Sequence, residues 1–545
     1  MKAHTMRPPP LRQQLPASWD IETDVLVVGF GAAGAVAAIE ASDHGARTVL
    51  IEKMAFPGGL SVVSAGGIRV SGDRAAALSY LEATCGGRTP QVLLEALADG
   101  MVEVEGYVRG LARLCDAKVR VSAALGNYPL PGYEALGYCE VESVPALETG
   151  TCFPQAGAVK NGTRLFKVLA DNVAARPVEV LMSTPARRLL TDGDGAVVGL
   201  LAERDGRPLT IRTRGGVILA CGGFEADAEM QRQYFQKGAV LTGSFRGNTG
   251  DGIRMAQAVG ADLWHMWHYH GPYGLVHPDP DYPFGLYLKA VPMWTPAPDG
   301  AGALGPATLG IEPPPEKATQ KVLPRLAWIL VDQGGRRFMD EYPPYPGDTG
   351  VRPFDAFDPK RQEFPRDPAF LVFDDAGRRM YPLGRSVHND PQPHLSWSVD
   401  NAREIEAGIF HRADTLEGLA VLMGVPGPEL RATVEAWNAA VAAGRDAAFG
   451  RLPETMAPIS EPPFYFGRVR PIVINTQGGP RHDVRQRVLD PFGAPIPGLY
   501  AAGELGSLFG HIYMSGGNLA ECVVGGRTAG RQAAEARSRA LQPQA

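Results

Sequence analysis

The chain carries six cysteines, at 85, 115, 139, 152, 221 and 522, yet no C-x-x-C pair. That excludes zinc ribbons, thioredoxin-type chemistry and an attached c-type haem. Scattered thiols in a long chain read as reduced, which points to a cytoplasmic location. No run of 18 apolar residues occurs, so no transmembrane segment is expected. Dense Lys/Arg clusters are missing and the formal net charge is −6, so no nucleic-acid partner is expected. There is no internal repeat. The first 19 residues have no acid and no apolar core, and are read as a flexible arm rather than a signal peptide. His265, His268 and His270 stand close together near Asp262, but their spacing fits no zinc pattern. We read Trp264 to His270 as the wall of an apolar pocket and expect no metal. What the chain does have is glycine and proline, 66 and 47 of 545 residues, spread without a period. With 45% hydrophobic and 21% charged residues, this is the composition of a loop-rich globular enzyme.

Asp24 to Gly29 is an apolar run of strand length. Gly29-Phe30-Gly31-Ala32-Ala33-Gly34 follows and opens a helix of small residues. A second strand, Thr48 to Ile51, ends on Glu52 and Lys53. This is G-x-G-x-x-G between strand and helix, with an acid at the end of the next strand. Gly29 permits the tight turn, Gly31 lets the backbone approach a pyrophosphate, and Gly34 lets helix pack on strand. The helix head turns its positive dipole end to the phosphates. Glu52 accepts from ribose hydroxyls, which disfavours a 2′-phosphate. No second fingerprint for a nicotinamide is present, so no productive reduction by NAD(P)H is expected.

Further glycine clusters follow. Gly58-Gly59-Leu60-Ser61 leads to Gly66-Gly67; Val217 to Ala220 is a buried strand running into Cys221-Gly222-Gly223; Leu499 to Gly503 ends on Glu504; Gly516-Gly517-Asn518-Leu519 opens a last helix. These features, quoted as GFGAAG, IEK, PGGLSVVSAGG, ILACGGF, NTGDGIRMAQAVGA, VDQGGRRFMDE, GLYAAGE to GGNLAE and VVGGRTAG, resemble the FAD-binding flavoproteins related to fumarate reductase and the 3-ketosteroid dehydrogenases. The resemblance covers about residues 22 to 535. It implies that FAD is held by Gly29, Gly31, Ala33, Gly34, Glu52, Lys53, Gly58, Gly59, Ser61, Gly66, Gly67, Ala220, Gly222, Asp251, Gly503, Glu504, Asn518 and Leu519. Glu504 holds the ribitol and the 516–519 helix start faces the flavin pyrimidine, where a helix N-terminus favours an anionic reduced ring. Covalent members carry a His ahead of the second glycine cluster. None stands between Gly59 and Gly67, so the resemblance implies non-covalent FAD.

The expected fold is α/β: a Rossmann-like FAD domain split in sequence, 20–270 and 466–545, with an α+β cap at 271–465 that closes over the flavin. Within the cap, Ala327 to Asp332 and Arg336 to Met339 read as a hairpin, Pro428 to Ala443 as a helix, and 271–325, rich in proline, as a long surface loop or lid.

The fumarate reductases grip two carboxylates with arginine and histidine. By register, Tyr345 stands where one arginine would be, Met514 at the second, and Asn475 at a histidine. A small dianion is therefore not the expected substrate. Gly510-His511-Ile512-Tyr513 instead resembles the G-H-x-Y of the ketosteroid dehydrogenases. There a Tyr hydroxyl and a glycine amide bind the ketone oxygen, which here implies Tyr513 and Gly517. Two donors at a carbonyl stabilise a developing enolate. The Δ1 enzymes continue P-G-P-G after this Tyr, whereas this chain continues Met514-Ser515-Gly516-Gly517. Tyr513-x-Ser515 is closer to the Δ4-(5α) pattern, and Ser515 is either catalytic or a helix N-cap. Tyr345 corresponds to the proton-abstracting phenol of the cap; Tyr128 and Tyr133 are further candidates for a phenol. The expected reaction is desaturation of the bond next to a ketone in a hydrophobic cyclic or steroid-like substrate, with an external, quinone-like electron acceptor. Two alternatives stand beside it: reduction of an activated, non-dicarboxylate alkene at the same site, and a flavin-binding redox module without turnover.

Overall fold

The computed structural model describes residues 15–123, 127–145, 147, 153–156, 161–243, 245–289, 294–296, 302–304, 325–342, 349–385 and 397–540. Strand β1 (Ile21–Val28) is buried on both faces from Thr23 onward, as a central parallel strand must be. Helix α1 (Ala32–Asp43) follows, and β2 (Thr48–Ile51) returns parallel to β1 with Val25 opposite Thr48. Strands β3 (Val178–Leu181), β4 (Arg207–Leu219), β5 (Arg487–Leu489) and β6 (Pro495–Ala501) complete the order β5-β6-β4-β1-β2-β3. All neighbours are parallel except β5 and β6. The chain winds out from β1 in both directions, so a crevice opens at the carboxyl ends of β1 and β4, where such sheets bind nucleotides. Because β6 comes from the C-terminal part of the sequence and pairs with β4, this α/β domain is split in sequence.

The last helix, α2 (Gly517–Ala540), lies across α1. A Cβ on Gly526 would stand 2.8 Å from the Ala33 carbonyl oxygen, and one on Gly530 would stand 2.5 Å from that of Ala37. The glycines of VVGGRTAG therefore set this close crossing. No helix of the described residues is long and apolar enough to cross a membrane.

A second sheet, mostly antiparallel, forms the cap around Phe464–Val473. Ala369–Asp374, Tyr273–Leu275 and Phe410–Ala413 pair with it antiparallel. Leu241–Thr242 also joins it, so this sheet draws on chain either side of the boundaries expected at 270 and 466. Helices Leu416–Met423 and Gly427–Ala442 cover its outer face, packing Leu419, Leu430, Val434 and Trp437 on Ile329, Val331 and Val372. The helix matches the expectation for 428–443. The lid expectation for 271–325 needs correction: Tyr273–Leu275 and Leu286–Leu288 are buried strands of the cap sheet. Three-residue strands are too short to show alternation, and proline masks them. The rest of that stretch, from 305 to 324, lies outside the described residues.

Candidate active site

The crevice is a cleft of about 760 Å3, counted to its open mouth, at the ends of β1 and β4. At its floor a Cβ on Gly29 (φ +103°) would stand 2.5 Å from the Ala220 carbonyl oxygen. One on Gly34 would stand 1.8 Å from the Gly29 oxygen. Gly31 caps α1 with no side-chain hydrogen bond, and no acid stands in the first turn. The positive helix end is thus left for an anion. The Ala32 amide donates to Ser61 Oγ at 3.0 Å, which brings the 58–61 turn to the helix head. Gly31, Ala33, Gly59, Ser61, Ala220 and Gly222 line this part.

At the far end, both Glu52 oxygens accept backbone bonds, from Phe30 N at 2.8 Å and Met54 N at 2.9 Å. Burial raises the Glu52 carboxyl and these amides oppose it. Lys53 Nζ sits 2.6 Å from both Asp251 and Thr249, joining the end of β2 to the helix Asp251–Ala258. Sequence reasoning missed Thr184, Phe245 and Asn248, which also line the cleft. Asn248 stood in the quoted NTGDG motif, which was the available signal. Thr184 carries no motif, but its amide bonds the Glu52 carbonyl at 2.7 Å. Gly34, Gly58, Gly66, Gly67, Gly503, Asn518 and Leu519 are not among the residues around this part of the cleft. Gly66 (φ +74°) instead lets its loop meet the 161–162 backbone, and Gly503 (φ +80°) meets Ala33 and Cys522.

Where the cleft turns inward, Glu504 and Glu225 share the Thr476 amide, at 3.0 and 2.8 Å. Burial first and the neighbouring Glu225 second hold the Glu504 carboxyl well above the usual range. Glu225 Oε2 and Asn248 Nδ2 are buried without a partner among the described residues. Carboxylates, a spare amide and an uncapped helix head fit the hydroxyls and diphosphate of FAD.

Behind the helix head runs a buried polar chain. Glu521 accepts from Leu508 N at 2.6 Å, Ser507 Oγ at 2.9 Å and Asn518 Nδ2 at 2.9 Å. Burial pushes its carboxyl up to about 7. Asn475 Nδ2 donates to Asn518 Oδ1, and His270 Nδ1 meets Asn475 Oδ1 at 2.9 Å. The His270 ring lies 4.3 Å from that of Tyr513, which also meets Phe509 in an edge contact at 5.6 Å. Burial pushes the Tyr513 phenol upward, against the Asn518 and Gly516 amides, so it stays protonated. In the stretch 264–270, His265 Nδ1 faces the Ser507 carbonyl and His268 Nδ1 that of Phe509, which ties this stretch to the 507–509 backbone.

The structure corrects one expectation at this turn. Gly516 (φ +78°) folds the chain back, and the Gly517 amide closes onto Met514 O at 2.7 Å. That amide is therefore committed within the turn and is not a second donor for a ketone. Ser515 is half-buried, and its N–H and carbonyl are both hydrogen-bonded, to Asn127 Oδ1 and Arg69 Nε. Tyr345 lies outside the described residues, as do 343 to 348. The segment leading to it is anchored: Glu341 receives Arg337 at 2.8 Å and Arg451 at 3.4 Å, all buried. The expected hairpin is reduced to one bridge between Val331 and Arg337.

The sequence profile described as FAD binding domain matches residues 24–281 and 303–519, and the chain belongs to that family. A fumarate reductase (cytochrome) of Shewanella frigidimarina is 28% identical over 94% of this chain and 77% of its own. A 3-oxosteroid 1-dehydrogenase of Mycobacterium tuberculosis is 27% identical over 90% of this chain and 94% of its own. In fold, the crystal structure of 3-ketosteroid Δ1-dehydrogenase from Sterolibacterium denitrificans superposes with a TM-score of 0.72, at 24% identity, over 94% of this chain and 99% of that one. The protein is an FAD-dependent oxidoreductase, similar over most of its length to fumarate reductases and ketosteroid dehydrogenases.

The glycine contacts make the first prediction. Gly34→Ala places a methyl carbon against a backbone oxygen, which cannot yield as a flexible side chain would. We expect this variant to purify with little or no FAD, read as the ratio of flavin to protein absorbance. A full complement of FAD would contradict the packing argument.

Proposed function

We propose that the enzyme desaturates the carbon–carbon bond next to the ketone of a hydrophobic, cyclic or steroid-like substrate. The observation that carries this reading is Tyr513, a buried phenol held protonated beside the head of α2. A protonated phenol donates a hydrogen bond to a carbonyl oxygen, and this acidifies the α C–H. A second phenol, Tyr345 by resemblance, takes the α proton. Bound FAD supplies the hydride acceptor for the β carbon, and an external, quinone-like acceptor then takes the electrons. The 3-oxosteroid 1-dehydrogenase relative supports the ketone assignment. Asn475 and Met514, where the reductases carry His and Arg, speak against a dicarboxylate. The fumarate reductase relative keeps the reverse reaction, reduction of an enone, as the second reading. The FAD domain is assigned to 20–270 with 466–545 and the cap to 271–465, with Leu241–Thr242 and Phe464–Val473 contributing to the cap sheet, and the cofactor is proposed to be non-covalent.

Incubation with a panel of saturated cyclic ketones and a dye acceptor tests the proposal. A product lighter by two hydrogens and carrying an enone absorbance is expected. Turnover of dicarboxylates with none of the ketones would overturn it. The cofactor linkage has its own check. Acid precipitation is expected to leave a white pellet and a yellow supernatant, and a yellow pellet would show a covalent bond.

A further inference from the structure

Arg69 is fully buried, an expensive place for a guanidinium unless its donors are all used. It sits on the strand Ile68–Ser71, directly opposite Tyr138 on the neighbouring strand, with its guanidinium 4.0 Å from the Tyr138 ring centroid. Its bonds converge on the backbone of two adjacent turn residues, Ser515 and Gly516. Nε donates to the Ser515 carbonyl at 2.9 Å, and its own backbone N–H donates to the Gly516 carbonyl at 3.1 Å. The Tyr138 hydroxyl reaches the same Ser515 carbonyl at 3.3 Å while accepting from Arg69 Nη2 at 2.7 Å. Asn127 Oδ1 takes the Ser515 N–H at 2.9 Å and Arg69 Nη2 at 3.3 Å. A Cβ on Gly516 would stand 2.6 Å from the Gly67 oxygen and 2.7 Å from Tyr138 Cε1. The turn is pressed onto this clamp with no room to slide.

We propose that Arg69 is the positioning residue of the carbonyl-binding turn. Through the Ser515–Gly516 unit it fixes Tyr513 on one side and the head of α2 on the other. The fork geometry matters, because only a planar guanidinium can serve Ser515, Tyr138 and Asn127 together. This inference rests on the reading of Tyr513 as the ketone's donor, and its test separates the two.

The experiment uses FAD-loaded enzyme and four variants: Arg69→Met, Tyr138→Phe, Tyr513→Phe and the double variant Arg69→Met with Tyr513→Phe. FAD content, melting temperature and the dissociation constant of an enone product, read from flavin absorbance, are measured for each. Arg69 does not line the FAD cleft, so Arg69→Met is expected to keep its FAD. Its product affinity should fall at least tenfold, and the double variant should bind no worse than Tyr513→Phe alone. Residues acting through one contact are not additive, whereas independent ones are. If Tyr513→Phe weakens binding and Arg69→Met does not, or if the two losses multiply, Arg69 does not position Tyr513. If Tyr513→Phe leaves product binding unchanged, the carbonyl reading fails and the positioning proposal falls with it. Should Arg69→Met not fold, Tyr138→Phe carries the test, together with a fifth variant that combines it with Tyr513→Phe: a severalfold loss of product affinity in Tyr138→Phe that adds nothing to the loss of Tyr513→Phe when the two are combined supports the clamp. Unchanged affinity overturns it.

Discussion

Tyr513→Phe is expected to retain FAD and to lose turnover by about 10²–10³, the range for removal of one oxyanion donor. The substitution keeps the ring, so the contacts with His270 and Phe509 survive. Only the hydroxyl goes. Because burial holds that hydroxyl protonated, its loss removes a donor and not a base. Product affinity should therefore fall together with turnover. Tyr345→Phe is expected to differ: a lost base costs about 10²–10⁴ in rate but leaves the carbonyl hydrogen bond in place. Titration of both variants with product, followed by flavin absorbance, separates the roles. Normal product binding by Tyr513→Phe and weak binding by Tyr345→Phe would mean that they are reversed. Less than about tenfold loss of turnover in both would show that neither phenol takes part.

The second large effect is in the cap. Glu341 is the shared partner of Arg337 and Arg451, and it also accepts the Leu330 amide at 2.9 Å. Arg337 keeps Asp446 at 3.1 Å, but Arg451 is fully buried and, among the described residues, otherwise donates only to the carbonyls of Leu326, Trp328 and Thr455. Glu341→Ala leaves that guanidinium without its counter-ion. Removing one member of a buried pair is destabilising by about 3–5 kcal/mol. The loss should be local, since the FAD sheet does not share these residues. We expect Glu341→Ala to bind FAD, to expose the cap to limited proteolysis, and to lose turnover because the segment before Tyr345 is released. A melting curve and proteolytic pattern like those of the parent protein would contradict this.

The FAD domain was legible because its chemistry imposes spacing. Gly29 and Gly34 are forced by backbone contacts that no side chain survives, and β1 is apolar from Val25 to Val28, where both its faces are covered. The cap was legible only where a helix was long enough to show a period, as at Gly427–Ala442. Its strands Tyr273–Leu275 and Leu286–Leu288 are too short to declare themselves. At the site, Tyr513 could be read from its motif, but the commitment of the Gly517 amide depends on the handedness of one residue, Gly516. Arg69 and Asn127 were invisible for a different reason: they act on a peptide more than 380 residues away in sequence.

A ketone, not a dicarboxylate, is proposed to meet the flavin in this cleft. Anaerobic mixing of the oxidised holoenzyme with saturated cyclic ketones and with succinate, followed at the flavin absorbance band, distinguishes the two. Bleaching is expected from at least one 3-keto steroid-like compound and none from succinate. Bleaching by succinate alone, or by no ketone of the panel, would contradict it.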